Sequence, residues 1–262
     1  MGEDDESYGR AARGFKQYDS TAVTQGRGDF MISEEIMKEI FRGLKEPYGD
    51  SGHWSKEEIL RRMNIGQLET VRLTDCIPTS YTAPTEVGVQ EYSRPNTCMR
   101  LDRIWYKTKG QRLYPLDTTD LDLWAIEGRI SKPWTDNSGE PANYYVRGSF
   151  IGLYPKPDIV ETFGVEGIRR PDILELASIS AQIPFNGKML MYDFHNILVS
   201  YVLWKCLLED KDEYYKEHKD EFFRIIATIK MQLIANAPDK METFDLIRTA
   251  KNGALTPIPF NQ

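Results

Sequence analysis

This sequence has few cysteine and histidine residues, the side chains that most often form zinc and redox sites. Its 262 residues include three cysteines and three histidines. They show no Cys-x-x-Cys, His-x-His or HExxH spacing, so zinc, thioredoxin-like and metalloprotease sites lack their basic ligand pattern. Cys76, Cys98 and Cys206 are far apart and odd in number, which argues against structural disulfides and favours folding in a reducing cytoplasm. We therefore predict no metal and no cofactor.

Long apolar runs and a basic N-terminus are also missing. The most apolar run, 197–208, is interrupted by Ser200, Lys205 and Cys206, and it is too short to span a bilayer. The chain begins MGEDDE, which is acidic where a signal peptide is positively charged. We expect a soluble protein that is made in the cytoplasm and has no membrane partner.

Basic residues are also outnumbered by acidic ones, 33 against 40. The net charge of −7 argues against a dedicated nucleic-acid-binding protein, which is usually basic. Double-stranded DNA can nevertheless pass along an acidic protein surface without being bound, because that surface repels the phosphates and the DNA stays mobile. One basic cluster with interleaved aromatic residues is a candidate nucleic-acid patch, although a solvated hairpin face or a subunit contact is the favoured interpretation. The cluster consists of Arg100, Arg103, Trp105, Tyr106, Lys107, Lys109 and Arg112.

Motifs for catalysis are likewise missing. Residues 9–16 read GRAARGFK, a near match to a phosphate-binding loop, but Phe15 stands where that loop requires Lys. A Gly-x-Ser-x-Gly elbow is absent, and His195 lies in the most apolar segment, where a hydrogen-bonded core histidine is the favoured interpretation. Asp117, Asp120 and Asp122 lack the glycine and distal glutamate of a calcium loop, so helix capping explains them better. We therefore predict no catalytic residue and no enzyme.

The apolar spacing predicts helices at both ends of a β region. Residues 31–44 have helical spacing, and a second helix begins at Ser55, with Glu58 completing a capping box. Short alternating runs separated by turn residues between Ile77 and Pro171 predict five or six strands, with a hairpin turn at 107–110. Helical periodicity returns at about Asn186. A narrower stripe at the end of this region comprises Phe222, Ile225, Ile226, Ile229 and Leu233.

The predicted fold class is α+β: a helical bundle with an inserted antiparallel β subdomain and extended N- and C-terminal arms. Residues 1–30 have almost no large aliphatic side chains, and alternate prolines near the C-terminus exclude a helix there. The predicted segments are an N-terminal arm (1–30), a first helical part (31–76), the β subdomain (77–175), a second helical part (176–240) and a C-terminal arm (241–262).

Several segments together resemble the head–tail adaptor, or connector, proteins of bacteriophages. Residues 54–64 read WSKEEILRRMN and are similar to the capped first helix of that family, in which Asn64 and Gln67 match a polar pair. The β region resembles the family's inserted sheet in the segments LDRIWY (101–106), LYPL (113–116) and IGLYPKPD (151–158). Residues 194–201, FHNILVSY, resemble its Phe-His-x-x-Leu-x-x-Tyr helix. The resemblance covers about residues 50–235.

The resemblance implies a structural virion protein at the tail vertex, or neck, and no catalysed reaction. Such a protein is made in the host cytoplasm and forms a ring, expected to be a dodecamer, that docks to the portal protein. It connects the capsid to downstream tail or nozzle proteins and lets double-stranded DNA pass without sequence-specific binding. In this interpretation the extended C-terminal arm binds the portal through Leu255, Ile258, Pro259 and Phe260.

Two other functions stay open at this point. One is a small soluble enzyme or carbohydrate-binding module whose site is assembled from scattered residues, which would show a deep pocket with convergent titratable groups. The other is a DNA-binding regulator that uses the hairpin between Arg100 and Arg112, which would bind duplex DNA in a salt-sensitive way.

Overall fold

The computed structural model describes residues 16–18, 31–49, 51–107, 110–119, 122 and 134–235. It is an α+β structure, as predicted, and it divides into two compact units. One unit contains residues 16–18 and the described parts of Ile77–Arg170, and the other contains the described parts of Arg27–Cys76 and Pro171–Gln262. Within the described ranges, no helix combines the length and apolarity that crossing a membrane requires.

The described residues of the first unit form three sheets. A five-stranded sheet has the order β1-β2-β11-β4-β5, and each of its strands is antiparallel to its neighbours. A second sheet has the order β3-β9-β8-β6, and a small third sheet pairs β10 with β7. The strands are β1 Lys16–Tyr18, β2 Pro78–Pro84, β3 Glu91–Ser93, β4 Cys98–Tyr106, β5 Gln111–Arg112, β6 Tyr114–Pro115, β7 Ser138–Gly139, β8 Asn143–Arg147, β9 Phe150–Tyr154, β10 Lys156–Pro157 and β11 Thr162–Arg169.

The core of this unit lies between the five-stranded and four-stranded sheets. One cluster of buried side chains joins Ile104, Phe163 and Val165 of the first sheet to Ile151 and Leu153 of the second. Alternation along each strand places these side chains on the inner faces, which is why the sequence shows a period of two in this region.

Two strand pairs differ from the predicted antiparallel arrangement. β6 pairs with β8 in parallel, and β10 pairs with β7 in parallel. The long connection 116–142 separates β6 from β8, which leaves enough chain for the second strand to run in the same direction as the first. The expectation of a wholly antiparallel subdomain was therefore wrong at these short strands.

The predicted arms fall mostly outside the described residues. Within 1–30, only residues 16–18 are described, and they form β1 at the edge of β2. The C-terminal arm at 241–262 lies entirely outside the described residues, as do Leu255, Ile258, Pro259 and Phe260.

The second unit is helical. The α-helices among its described residues are α1 Ser33–Gly43, α2 Lys56–Thr74, α3 Asn196–Glu209 and α4 Tyr215–Ala235. The predicted N-cap is present, because Ser55 Oγ accepts a hydrogen bond from the Glu58 backbone N–H at 3.2 Å. α3 packs against α1, α2 and α4, and it buries residues over most of its circumference, as its sequence predicts.

The segment between β11 and α3 is tied to α2 by Asn64 and Gln67, which we call the polar clamp. Asn64 accepts a hydrogen bond from the Leu174 N–H at 2.8 Å and donates one to the Leu174 carbonyl at 3.0 Å. The Oε1 of the buried Gln67 accepts a hydrogen bond from the Phe185 N–H at 2.8 Å. The polar clamp therefore satisfies backbone groups that have no helix or sheet partner.

α3 begins about ten residues later than the periodicity predicted. Phe185 and Asn186 adopt left-handed backbone conformations, with φ of 55° and 58°, and such residues cannot continue a right-handed helix. Residues Met189–Phe194 then form a 3₁₀ helix that leads into α3. Helical structure therefore returns near the predicted position only as a 3₁₀ helix, and the α-helix itself begins at Asn196.

Candidate interaction surface

Two adjoining loops of the first unit carry exposed aliphatic side chains. The turn 86–89 connects β2 to β3, and the loop 158–161 connects β10 to β11. Val87 is 61% exposed and Val160 is 65% exposed, and the smaller exposures of Val89 and Ile159 add to the same feature. We call these four side chains the apolar tip.

Thr85 joins the two loops through several hydrogen bonds. Its backbone N–H donates to the Glu161 carbonyl at 2.7 Å, and its Oγ1 accepts from the Glu161 N–H at 2.8 Å. The Thr85 hydroxyl also lies within hydrogen-bond distance of the Ile159 and Glu161 carbonyls. Gly88 N–H adds a bond to the Pro157 carbonyl at 2.8 Å. The loops are therefore held to each other by the backbone and hydroxyl of the buried Thr85 and by the Gly88 N–H.

Tyr92 closes the turn 86–89 from within the same unit. Its hydroxyl accepts a hydrogen bond from the Glu86 N–H at 3.0 Å and donates to the Val89 carbonyl at 3.1 Å. Burial raises the pKa of Tyr92 to about 12, so the hydroxyl keeps its proton and continues to donate. Gly88 is the third of the four residues of this turn, and its φ of +76° is a conformation that glycine adopts readily.

The charges beside the apolar tip are mainly negative. Glu86 and Asp158 are exposed, and Glu161 is half-buried. Lys156 is half-buried. Lys107 lies close enough to Glu161 for the two charges to attract each other. The ammonium group of Lys107 also binds Glu140, with an Nζ–Oε1 distance of 2.8 Å. The surface is thus apolar at its centre and acidic at its rim.

A second apolar surface lies on α4. Four residues of the predicted stripe, Phe222, Ile225, Ile226 and Ile229, are buried, and the fifth, Leu233, is half-buried. Phe223, Met231 and Ile234 lie one to three turns apart on a different face of the same helix, and all three are exposed. We call these three side chains the outer stripe of α4. This stripe was not predicted, because nothing in the sequence distinguishes Phe223, Met231 and Ile234 from the apolar residues of the same helix that are buried.

The basic cluster of the β4–β5 hairpin is largely paired with acidic side chains. Arg100 binds Asp102 at 2.8 Å, and Arg103 binds Glu166 at 2.9 Å. Lys107 binds Glu140, as described above, and Lys109 lies outside the described residues. These ion pairs agree with the favoured interpretation of a solvated hairpin face, because the paired cations are already partly neutralised.

Most of the other candidate residues proposed from the sequence make hydrogen bonds within the fold. Asp117 accepts a hydrogen bond from the Thr119 N–H at 2.9 Å, and Asp122 accepts one from Trp134 Nε1 at 2.8 Å. Asp120 lies outside the described residues. His195 is buried, and its Nδ1 accepts a hydrogen bond from the Met31 N–H. Among the described residues, no group of three His, Cys, Asp or Glu side chains is arranged to hold a metal ion.

The comparison with protein families gives one match. A family model described as SU10 adaptor protein, which is a family of phage head–tail adaptors, matches residues 34–242. The match includes all the helices of the second unit except the first residue of α1, and every strand of the first unit except β1. No curated protein matches the chain.

Proposed function

Because this chain belongs to the SU10 adaptor protein family, we propose that it forms a ring that docks to the portal protein and connects the capsid to the tail. The family is one of structural phage proteins, and its members are adaptors rather than enzymes. The single observation that carries the proposal is the family match, which covers both compact units. The protein would then reside in the virion at the tail vertex.

The ring is proposed to be a dodecamer whose wall is a bundle of the helical units. A closed ring of identical subunits needs two different faces on each copy, one for each neighbour. The outer stripe of α4 supports this part of the proposal, because Phe223, Met231 and Ile234 form an exposed apolar face beside the packed one. Inside the ring, the negative net charge would let double-stranded DNA slide without sequence-specific binding.

The two ends of the ring are proposed to contact different proteins. The C-terminal arm would bind the portal through Leu255, Ile258, Pro259 and Phe260. Alternate prolines favour an extended chain, which suits addition to a sheet edge or to a groove. Downstream tail or nozzle proteins would join the other end.

The direct test is negative-stain microscopy of the purified protein mixed with portal rings. Added density at one end of the portal ring is the expected result. A free monomer that cleaves or binds a small ligand would favour the enzyme or carbohydrate-binding alternative, and salt-sensitive binding of duplex DNA would favour a regulator.

The outer stripe can be tested separately by native mass measurement of the assembled ring. Met231→Asp places a charge in the middle of the stripe and should reduce ring formation at least tenfold. Gln232→Asp is the matched control, because Gln232 is exposed on the same helix but lies off the stripe. Equal assembly of the two variants would contradict the role of the stripe.

A further inference from the structure

We propose that the apolar tip docks into an apolar pocket, rimmed by Lys and Arg side chains, on a different protein of the virion. The proposal rests on the adaptor function and specifies the chemistry of one of its partners. The aliphatic side chains of Val87 and Val160 are mostly exposed to water. Exposed aliphatic side chains on two loops that are hydrogen-bonded to each other, with charged residues beside them, are typical of an interaction site.

The rigidity of both loops strengthens this inference. Thr85 fixes the loop 158–161 to the end of β2, and Tyr92 fixes both ends of the turn 86–89. A surface that is ordered before binding loses little conformational entropy when a partner covers it. Four aliphatic side chains held in this way can act as a preformed anchor.

The charge of the rim identifies the kind of partner. Glu86, Asp158 and Glu161 stand around the tip, and of the two nearby lysines Lys107 is already bound by Glu140. A basic rim on the partner would be complementary to these carboxylates and would fix the orientation of docking. The same carboxylates disfavour phosphate-bearing partners such as DNA and anionic lipid. They also disfavour a symmetric tip-to-tip contact, which would bring like charges together.

Site-specific photo-crosslinking in assembled particles tests the proposal. Phage that lacks its own copy of the gene is complemented with protein carrying p-benzoylphenylalanine in place of Val160, and the purified virions are irradiated. Mapped peptides from a different virion protein, with apolar residues and Lys or Arg at the crosslink, are the expected result. The same label in place of the exposed Gln111, on β5, should not give that crosslink.

Three results would overturn the proposal: crosslinks from position 160 to a second copy of this chain, crosslinks to lipid, or none in virions that contain the labelled protein. If neither labelled protein nor wild-type protein is found in virions, the adaptor function itself fails. The two failures are therefore distinguishable.

Charge reversal provides a second measurement that does not depend on the label. Glu86→Lys combined with Asp158→Lys should lower the yield of infectious particles at least tenfold, while the melting temperature of the purified protein stays unchanged. Asp102→Lys combined with Asp117→Lys makes the same change of charge at exposed positions of the same unit that belong to neither loop, and serves as the control. Equal yields of infectious particles from both double variants would show that the acidic rim plays no part in docking.

Discussion

The imidazole Nδ1 of His195 accepts a hydrogen bond from the backbone N–H of Met31 at 3.1 Å, across 164 positions of sequence. An accepting Nδ1 carries no proton, so the neutral ring holds its single proton on Nε2. His195 is buried at the start of α3, where the positive end of the helix dipole further disfavours a charged ring. The bond that connects the start of α1 to α3 therefore requires the neutral form of His195.

The stability of the protein is predicted to fall as the pH drops below 6.5. Burial lowers the pKa of His195 in the folded protein from its ordinary value of 6.5, and the nearby Asp193 carboxylate opposes this only in part. Below 6.5 the unfolded chain binds a proton that the folded chain does not bind, so the free energy of unfolding decreases. Above 6.5 both states are neutral at this position, and the contribution is fully present.

Urea unfolding followed between about pH 8 and about pH 5 measures this effect. His195→Gln provides the control, because a glutamine can still accept the Met31 N–H through its Oε1 but does not titrate. The variant should lose part of the pH dependence over this range. If both proteins show the same slope of stability against pH, His195 is not the group responsible.

Loss of the polar clamp should destabilise the helical unit. Gln67→Ala removes the acceptor of the Phe185 N–H and leaves a buried donor without a partner, which costs about 2 kcal/mol. Arg61→Ala is the matched control, because Arg61 is exposed on the same helix and should change the free energy of unfolding by less than about 0.5 kcal/mol. Chemical denaturation measures both, and equal midpoints would contradict the importance of the clamp.

Gly152 is predicted to tolerate no side chain. It lies directly opposite Tyr145 on the paired strands β9 and β8, and a Cβ at this position would come within 2.0 Å of the Tyr145 ring. The ring cannot move aside easily, because its hydroxyl donates to Glu91 at 3.1 Å and Trp134 packs against it edge-on. Gly152→Ala should therefore lower the free energy of unfolding by about 2 kcal/mol.

A double variant checks the origin of that loss. Combining Gly152→Ala with Tyr145→Leu removes the ring that a methyl group would strike, so the two changes together should cost less than their sum. Gly49→Ala is the neutral control, since nothing lies within 4 Å of a Cβ there. Simple additivity in thermal unfolding would show that the contact with Tyr145 is not the cause.

The regular elements of the fold follow from local sequence patterns. Apolar residues at helical spacing predict α1 and α2, and the turn residues near Gly110 predict the β4–β5 hairpin. The start of α3 was missed because it depends on long-range contacts. Phe185 and Asn186 are held in left-handed conformations by a hydrogen bond from the Phe185 N–H to Gln67 and another from the Asp172 N–H to Asn186. Such partners cannot be identified from spacing along the chain.

The candidate surfaces were not predictable for a related reason. Val87 and Val160 look like ordinary strand residues in the sequence, and only the pairing of β2 with β11 shows that both fall on loops at the same end of the unit. For the cations of the β4–β5 hairpin, a basic patch was the less favoured interpretation. The register of β4 and β11 places Glu166 opposite Arg103, which agrees with the favoured one, a solvated hairpin face. Cross-strand neighbours decide the charge of a sheet face, and a single sequence does not reveal them.

Truncation after Lys251 should separate folding from docking. The shortened chain keeps every described residue of the two units but loses Leu255, Ile258, Pro259 and Phe260, so its melting temperature should match that of the full chain. Its sedimentation with portal rings should decrease, because the proposed apolar anchors are gone. A full-length variant with Ile258→Asp and Phe260→Asp should show the same decrease, which would assign the loss to those side chains rather than to chain length. Unchanged docking of the truncated protein would refute a portal-binding role for the C-terminal arm and leave portal contact to surfaces of the folded units.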